Sequence, residues 1–315
     1  MRALVPFFAL TLAAADFPTL EIASEHIRAT ILPPDPAKGY YQGTRFDWSG
    51  AILSLRYAGH EYFGQWFEKY DPRTHDAIAG PVEEFRSVGF EEAEPGGTFV
   101  RVGIGAVRRP DTRPYQTFKT YEIADYGKWS VTPSSSSVEF VHTLAANGYS
   151  YRYTKLLRFV PGKPEMVIEH TLQNTGAKGI HTTQYNHNFF VIDGQPTGPE
   201  SVIRFPFDVR PDRDLKGLAR GEGQELRYTR ELAKGESVYT ELAGFGPTAD
   251  SYDFAIENRA ARAGVRITGD RPLSKVVYWS IRTTTCPEPY IQLDVEPGQQ
   301  TRWRYTYTFY TLPPK

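Results

Sequence analysis

Two stretches of this sequence carry side chains whose types and setting suit proton-transfer chemistry. One is Thr182-Thr183-Gln184-Tyr185-Asn186-His187-Asn188-Phe189-Phe190; the other, a hundred residues later, is Cys286-Pro287-Glu288-Pro289-Tyr290. A histidine with a free pKa of about 6.5 and a glutamate of about 4.3 straddle the task of giving one proton and taking another near neutrality. Concerted donation and removal of that kind opens and recloses a cyclic sugar, and it requires no metal or organic cofactor. Pro289 disfavours helical backbone at Glu288, so the carboxylate is expected in an extended segment with little freedom. Rigid placement is what a two-handed site needs. On a strand, His187 shares its face with Tyr185, Phe189 and Val191, an aromatic surface suited to a sugar ring.

The elements that must hold these residues are strands. In Tyr149-Ser150-Tyr151-Arg152-Tyr153-Thr154-Lys155-Leu156-Leu157-Arg158-Phe159, the tyrosines, Leu157 and Phe159 share one parity and mostly polar residues the other. A strand with one buried face requires that alternation. Residues 165–174 repeat it with Met166, Ile168, His170 and Leu172, and residues 302–309 do so again. Pro95-Gly96-Gly97, Pro161-Gly162 and Pro297-Gly298 read as hairpin punctuation, because proline presets φ and glycine accepts positive φ. The best helical candidate, residues 220–233, is polar and broken by glycine. Many short strands without a linker predict an all-β protein, a large antiparallel sandwich of two broad sheets forming a single domain over residues 16–315.

Composition excludes several classes. Lysine plus arginine (36) and aspartate plus glutamate (37) nearly cancel, and no basic run interleaves with aromatics, so nucleic acid is not an expected partner. A lone cysteine, Cys286, leaves no intrachain disulfide. His181 and His187 share parity but stand about 20 Å apart on a strand, too far for one metal ion. Residues 1–15 read as a signal peptide: Arg2, an apolar run over residues 3–12, then Ala13-Ala14-Ala15 before Asp16. The expectation is an exported protein, periplasmic or secreted. No later segment has the ~20 apolar residues of a membrane span.

On three features the chain resembles the aldose 1-epimerase (galactose mutarotase-like) family, most of all its divergent bacterial branch. These are the segment Gly43-Thr44-Arg45-Phe46-Asp47-Trp48-Ser49-Gly50-Ala51-Ile52, the Asn186-His187-Asn188-Phe189 core, and Glu288 shortly before Pro297-Gly298. The resemblance implies a supersandwich with a sugar cleft on one concave face. It implies that His187 is the acid that protonates the ring oxygen and Glu288 the base that takes the anomeric proton. The histidine motif departs from the family's Asn-His-x-Tyr-Phe-Asn, which leaves the sugar open: a monosaccharide or the sugar end of an oligosaccharide.

Other candidates follow. The planar fork of Arg45 either binds sugar hydroxyls or braces a carboxylate such as Asp47. His75 lies where the resemblance implies a second active-site histidine, in unmatched surroundings. Asp250 or Asp253 falls where the family has an aspartate that binds a hydroxyl, although both read equally as turn residues. Trp279, upstream of Glu288, is the first choice as a stacking ring; Trp48, Trp66 and Tyr278 are further ones. Beside the isomerase stand two other readings: a non-catalytic carbohydrate-binding protein, and a polysaccharide lyase, which needs cationic groups at a uronate. The isomerase reading expects His187 and Glu288 to face each other across a gap of monosaccharide size.

Overall fold

A computed structural model describes residues 17–314. The expected leader, residues 1–15, lies outside the described residues. Alternation in the sequence becomes two broad antiparallel sheets, one ten-stranded and one six-stranded, with smaller four- and three-stranded sheets beside them. The strand Tyr149–Phe159 buries every second residue, pairing with Ser137–Ala146 on one side and Glu165–Asn174 on the other. Gln300–Thr311 continues this large sheet, with Trp303, Tyr305, Tyr307 and Phe309 all facing inward. The only helical segment among the described residues is the short 3-10 turn Ala249–Ser251. Residues 220–233 contribute strand rather than helix, in the hairpin Ala219–Glu222 and Glu225–Tyr228.

The six-stranded sheet positions the chemistry. Its order from one edge is Arg210–Pro211, Ser237–Ala243, Lys275–Ile281, Thr284–Val295, Ile180–His187 and Val82–Phe85. One face of this sheet is tied to the large sheet by buried polar contacts. Tyr305 donates to Gln184, Asn186 donates to Tyr307 (2.9 Å), and Tyr307 donates to Asn188 (2.8 Å). A buried hydroxyl or amide left unmatched costs about 1–3 kcal/mol, so these pairs also fix which face turns inward. Because strand side chains alternate, Thr183, Tyr185 and His187 are forced onto the opposite face.

Two turn expectations need correction. Pro161-Gly162 does join neighbouring strands of one sheet, but Pro297-Gly298 carries the chain from Thr284–Val295 in the small sheet to Gln300–Thr311 in the large one. Pro95-Gly96-Gly97 precedes Thr98–Arg101, whose sheet is not that of the preceding strand Val82–Phe85. Proline and glycine specify a tight reversal; the buried faces on either side decide whether it stays in one sheet. No helix of the described residues is long and apolar enough to cross a membrane.

Candidate active site

Glu288 sits in a central strand between two prolines, an arrangement that normally breaks a ladder. Here the break is local. Thr285 exchanges backbone hydrogen bonds with Phe190, so alternate residues from Thr285 onward point their N–H groups towards the histidine strand. Pro287 and Pro289 fall on those positions and have no N–H to give. Regular pairing with Ile180–His187 resumes only at Tyr290 opposite Tyr185. In the opening between, the side-chain amide of Asn188 donates to the Pro287 carbonyl (2.7 Å). The expected extended backbone at Glu288 is what the structure shows.

His187 and Glu288 therefore project from neighbouring strands on the same face. Nε2 of His187 lies 3.3 Å from Oε1 of Glu288. The expected monosaccharide-sized gap between them is absent: strands about 4.8 Å apart bring same-face side chains into contact. Any ligand of the pair must lie over it, on the cavity side. That cavity measures about 970 Å³, and both residues line it although they are only 3% and 5% exposed.

The rings around His187 fix its plane. Phe189 stacks on it with centroids 3.7 Å apart, and Trp66 stacks on the far side of Phe189 at 4.8 Å. Phe46 and Trp279 meet the imidazole edge-on, each at 5.6 Å. To place its ring so, Phe189 takes a φ of 42°, a left-handed conformation that costs a residue with a side chain on the order of 1–3 kcal/mol. The turn also brings the Asn188 carbonyl against Gly80, where any Cβ would lie 2.1 Å from that oxygen. Only glycine fits there.

Electrostatics of the pair follow from burial. Burial, and after it the charge of Arg45, holds the His187 imidazole well below its ordinary pKa. Nδ1 of His187 is buried without a hydrogen-bond partner among the described residues, so an imidazolium would leave an N–H unsatisfied. Burial pushes the Glu288 carboxyl up to about 8, against the opposing charge of Arg45. At neutral pH the pair therefore holds one proton, resting on the carboxyl, and titrates as a unit. The resemblance assigned that proton to histidine.

Arg45 braces this centre. Its Nε donates to Glu84 (2.7 Å) and its Nη2 to the Tyr185 hydroxyl (3.0 Å), while Tyr185 itself donates to Glu84. The partner is Glu84 rather than Asp47. Asp47 instead accepts from Ser49 and Tyr153 in the interior. Tyr185 stacks on Tyr290 at 4.2 Å, which closes the group around Glu288.

Of the other candidates, Trp279, Trp66 and His75 line the cavity. His75 stands at its rim, 3.4 Å from Asp76, with its ring 5.1 Å from that of Phe118. Asp250 and Asp253 are not brought to the site. Asp250 accepts from Thr248 in the 3-10 turn, and Asp253 forms a two-pronged pair with Arg266 on the large sheet. Both have local partners and do not line the cavity. Trp48 is core, its indole donating to the Gly43 carbonyl (2.8 Å). Tyr278 faces the inter-sheet interior, bonded to Tyr228 and Thr285, because it has the opposite parity to Trp279. Reasoning from sequence missed Glu84. Its signal was the adjacent pair Glu83-Glu84 inside an apolar run, one carboxylate for each face of a strand.

No protein-family model matches the sequence, and no curated protein matches it either. Solved structures match it in fold. The GalM/aldose epimerase homologue from C. elegans is 14% identical over 94% of this chain and 99% of its own, with a TM-score of 0.56. A galactose mutarotase-like protein from Lactobacillus casei is 13% identical over 93% of this chain and all of its own (100%), also with a TM-score of 0.56. A galactose mutarotase related enzyme from Lactobacillus acidophilus is 11% identical over 95% and 99%, with a TM-score of 0.54. The fold is thus the galactose mutarotase-like sandwich, as the sequence led us to expect.

Proposed function

We propose that this protein is a cofactor-independent isomerase of the aldose 1-epimerase type, interconverting sugar anomers. The observation that carries this reading is the His187–Glu288 pair, in contact at 3.3 Å on the floor of a large cavity with Trp279 beside it. A pair that holds one proton can deliver it to the ring oxygen while its other member accepts the anomeric hydroxyl proton. The bond between the anomeric carbon and the ring oxygen breaks, and the open chain carries an aldehyde. The carbonyl turns, the hydroxyl adds to its other face, and both protons return. Their return restores the starting state, with the proton on Glu288 as the acid and neutral His187 as the base. A binding-only protein has no use for an acid and a base in contact in a buried floor. The sugars envisaged are those met outside the cytoplasm, in keeping with the signal-like residues 1–15.

Polarimetry of freshly dissolved single anomers of glucose, galactose and other aldoses tests the proposal. The protein should accelerate equilibration of at least one; rates equal to buffer across the panel would overturn it. The pH profile gives an independent check. The working form holds one proton, so kcat/KM should be level through neutrality and fall above pH about 8 as Glu288 ionises. The acid limb should lie well below 6.5, since His187 resists protonation. A single acid limb near 6.5 with no alkaline fall would mean that burial does not govern the pair.

A further inference from the structure

The cleft floor runs across five strands of the small sheet, from Tyr239 through Trp279, Glu288 and His187 to Glu84. Four strand spacings of about 4.8 Å make it roughly 19 Å wide, whereas one pyranose ring spans little more than one such step. Beyond Glu84 the cavity continues past the sheet edge under residues 114–118. A sugar reacting over His187 and Glu288, with Trp279 beside it, leaves that end vacant.

The walls of this end are built for recognition. Phe118 is 66% exposed, the most exposed large hydrophobic residue described, yet its ring is held over the Arg45 guanidinium (5.0 Å) and against His75. Arg101 is only 1% exposed, and its Nη1 has no hydrogen-bond partner among the described residues. The hydroxyl of Tyr115 is likewise buried and unpartnered. Arg86 is exposed at the same wall. A presented aromatic face and an exposed guanidinium on one wall fit a ligand with alternating hydroxyls and apolar C–H faces. They do not fit a dry apolar ligand.

Resting on the isomerase reading of the pair, we infer that the reacting sugar is the reducing-end unit of an oligosaccharide. Its next unit occupies a second subsite with Phe118 as the stacking platform and the exposed Arg86 as a donor. Calorimetric titration of the wild-type protein with glucose, maltose and cellobiose, and with galactobiose against galactose, tests this. At least one disaccharide should bind about tenfold more tightly than its reducing-end monosaccharide, and Phe118→Ala should bring that ratio close to one. Equal affinity for every pair, or a ratio that survives in Phe118→Ala, overturns the subsite alone. Disaccharide preference without accelerated anomer exchange overturns the isomerase reading and keeps the subsite. Failure of every sugar to bind overturns both.

Discussion

Replacing Glu288 by glutamine should lower kcat/KM for anomer exchange at pH 7 by about 10²–10⁴-fold, the usual contribution of a positioned acid or base, while leaving the protein more stable at alkaline pH. The two effects share a cause. In the folded protein the carboxyl titrates at about 8; in the unfolded chain it titrates near its ordinary value of 4.5. Below pH 4.5 both states hold the proton and the group does not distinguish them. Between 4.5 and 8 the unfolded chain ionises and the folded one resists, so the native state loses stability as pH rises, by on the order of a few kcal/mol at the upper end. Glutamine keeps the shape and cannot ionise. The melting temperature of Glu288→Gln relative to wild type should therefore climb from pH 5 to pH 8.5. A difference that is flat or falls over that range would show that the carboxyl is not held protonated by burial. Activity and alkaline stability moving in opposite directions on one substitution is the signature of a group buried for chemistry.

Much of this architecture could be read from the sequence, for reasons visible in single strands. The tyrosines of residues 149–159 gave the period, and the structure buries each of them. The same strand placed a lysine on the apolar parity, at 155, and residues 166–172 placed a histidine there, at 170. Both were visible before the fold, and both mark an interior ionic cluster, because a charge on a buried face needs partners. The partners were not legible: Glu83 and Asp47 come from segments 72 and 108 residues away from Lys155, brought in only by sheet-on-sheet packing. The same limit explains the site. His187 and Glu288 lay in distinctive local settings, whereas their separation depended on which strands become neighbours, and neighbouring strands bring side chains into contact. Asp250 and Asp253 were placed by order along the chain alone, and order does not determine which face of which sheet a residue meets.

That interior cluster yields the second large effect. Lys155 donates to the Ser49 carbonyl (2.7 Å) and to Glu83, and lies 3.8 Å from Asp47, with all three side chains shut off from water. His170 reaches the other Glu83 oxygen at 3.1 Å and stacks flat on Trp303 at 4.7 Å. Burial alone would raise the Glu83 pKa, yet the charge of Lys155 and the hydrogen bond to His170 bring it below the ordinary value. Asp47, more weakly served, is pushed up to about 6 by burial. Lys155→Met keeps the volume and removes the cation, leaving two carboxylates in the core, and should destabilise the fold by about 3–5 kcal/mol at pH 7.5 in urea unfolding. The loss should shrink at pH 5, where both carboxylates can take up a proton, and the double variant Lys155→Met/Glu83→Gln should recover a large part of it. An unchanged urea midpoint at pH 7.5 would show that the lysine is not the partner that makes these charges tolerable. The consequence reaches the cavity, because the Glu83 carbonyl accepts from the Asp47 backbone N–H (2.8 Å) and Arg45 lies two residues before Asp47. Glu83 faces the core and Glu84 faces the cleft from one strand, so loosening the cluster shifts both members of the Arg45–Glu84 brace. Arg45 lowers the Glu288 pKa and Glu84 raises it, so a shift of that brace should move the alkaline limb of the kcat/KM profile in Lys155→Met, whereas an unmoved limb would show that the cluster and the cleft are uncoupled.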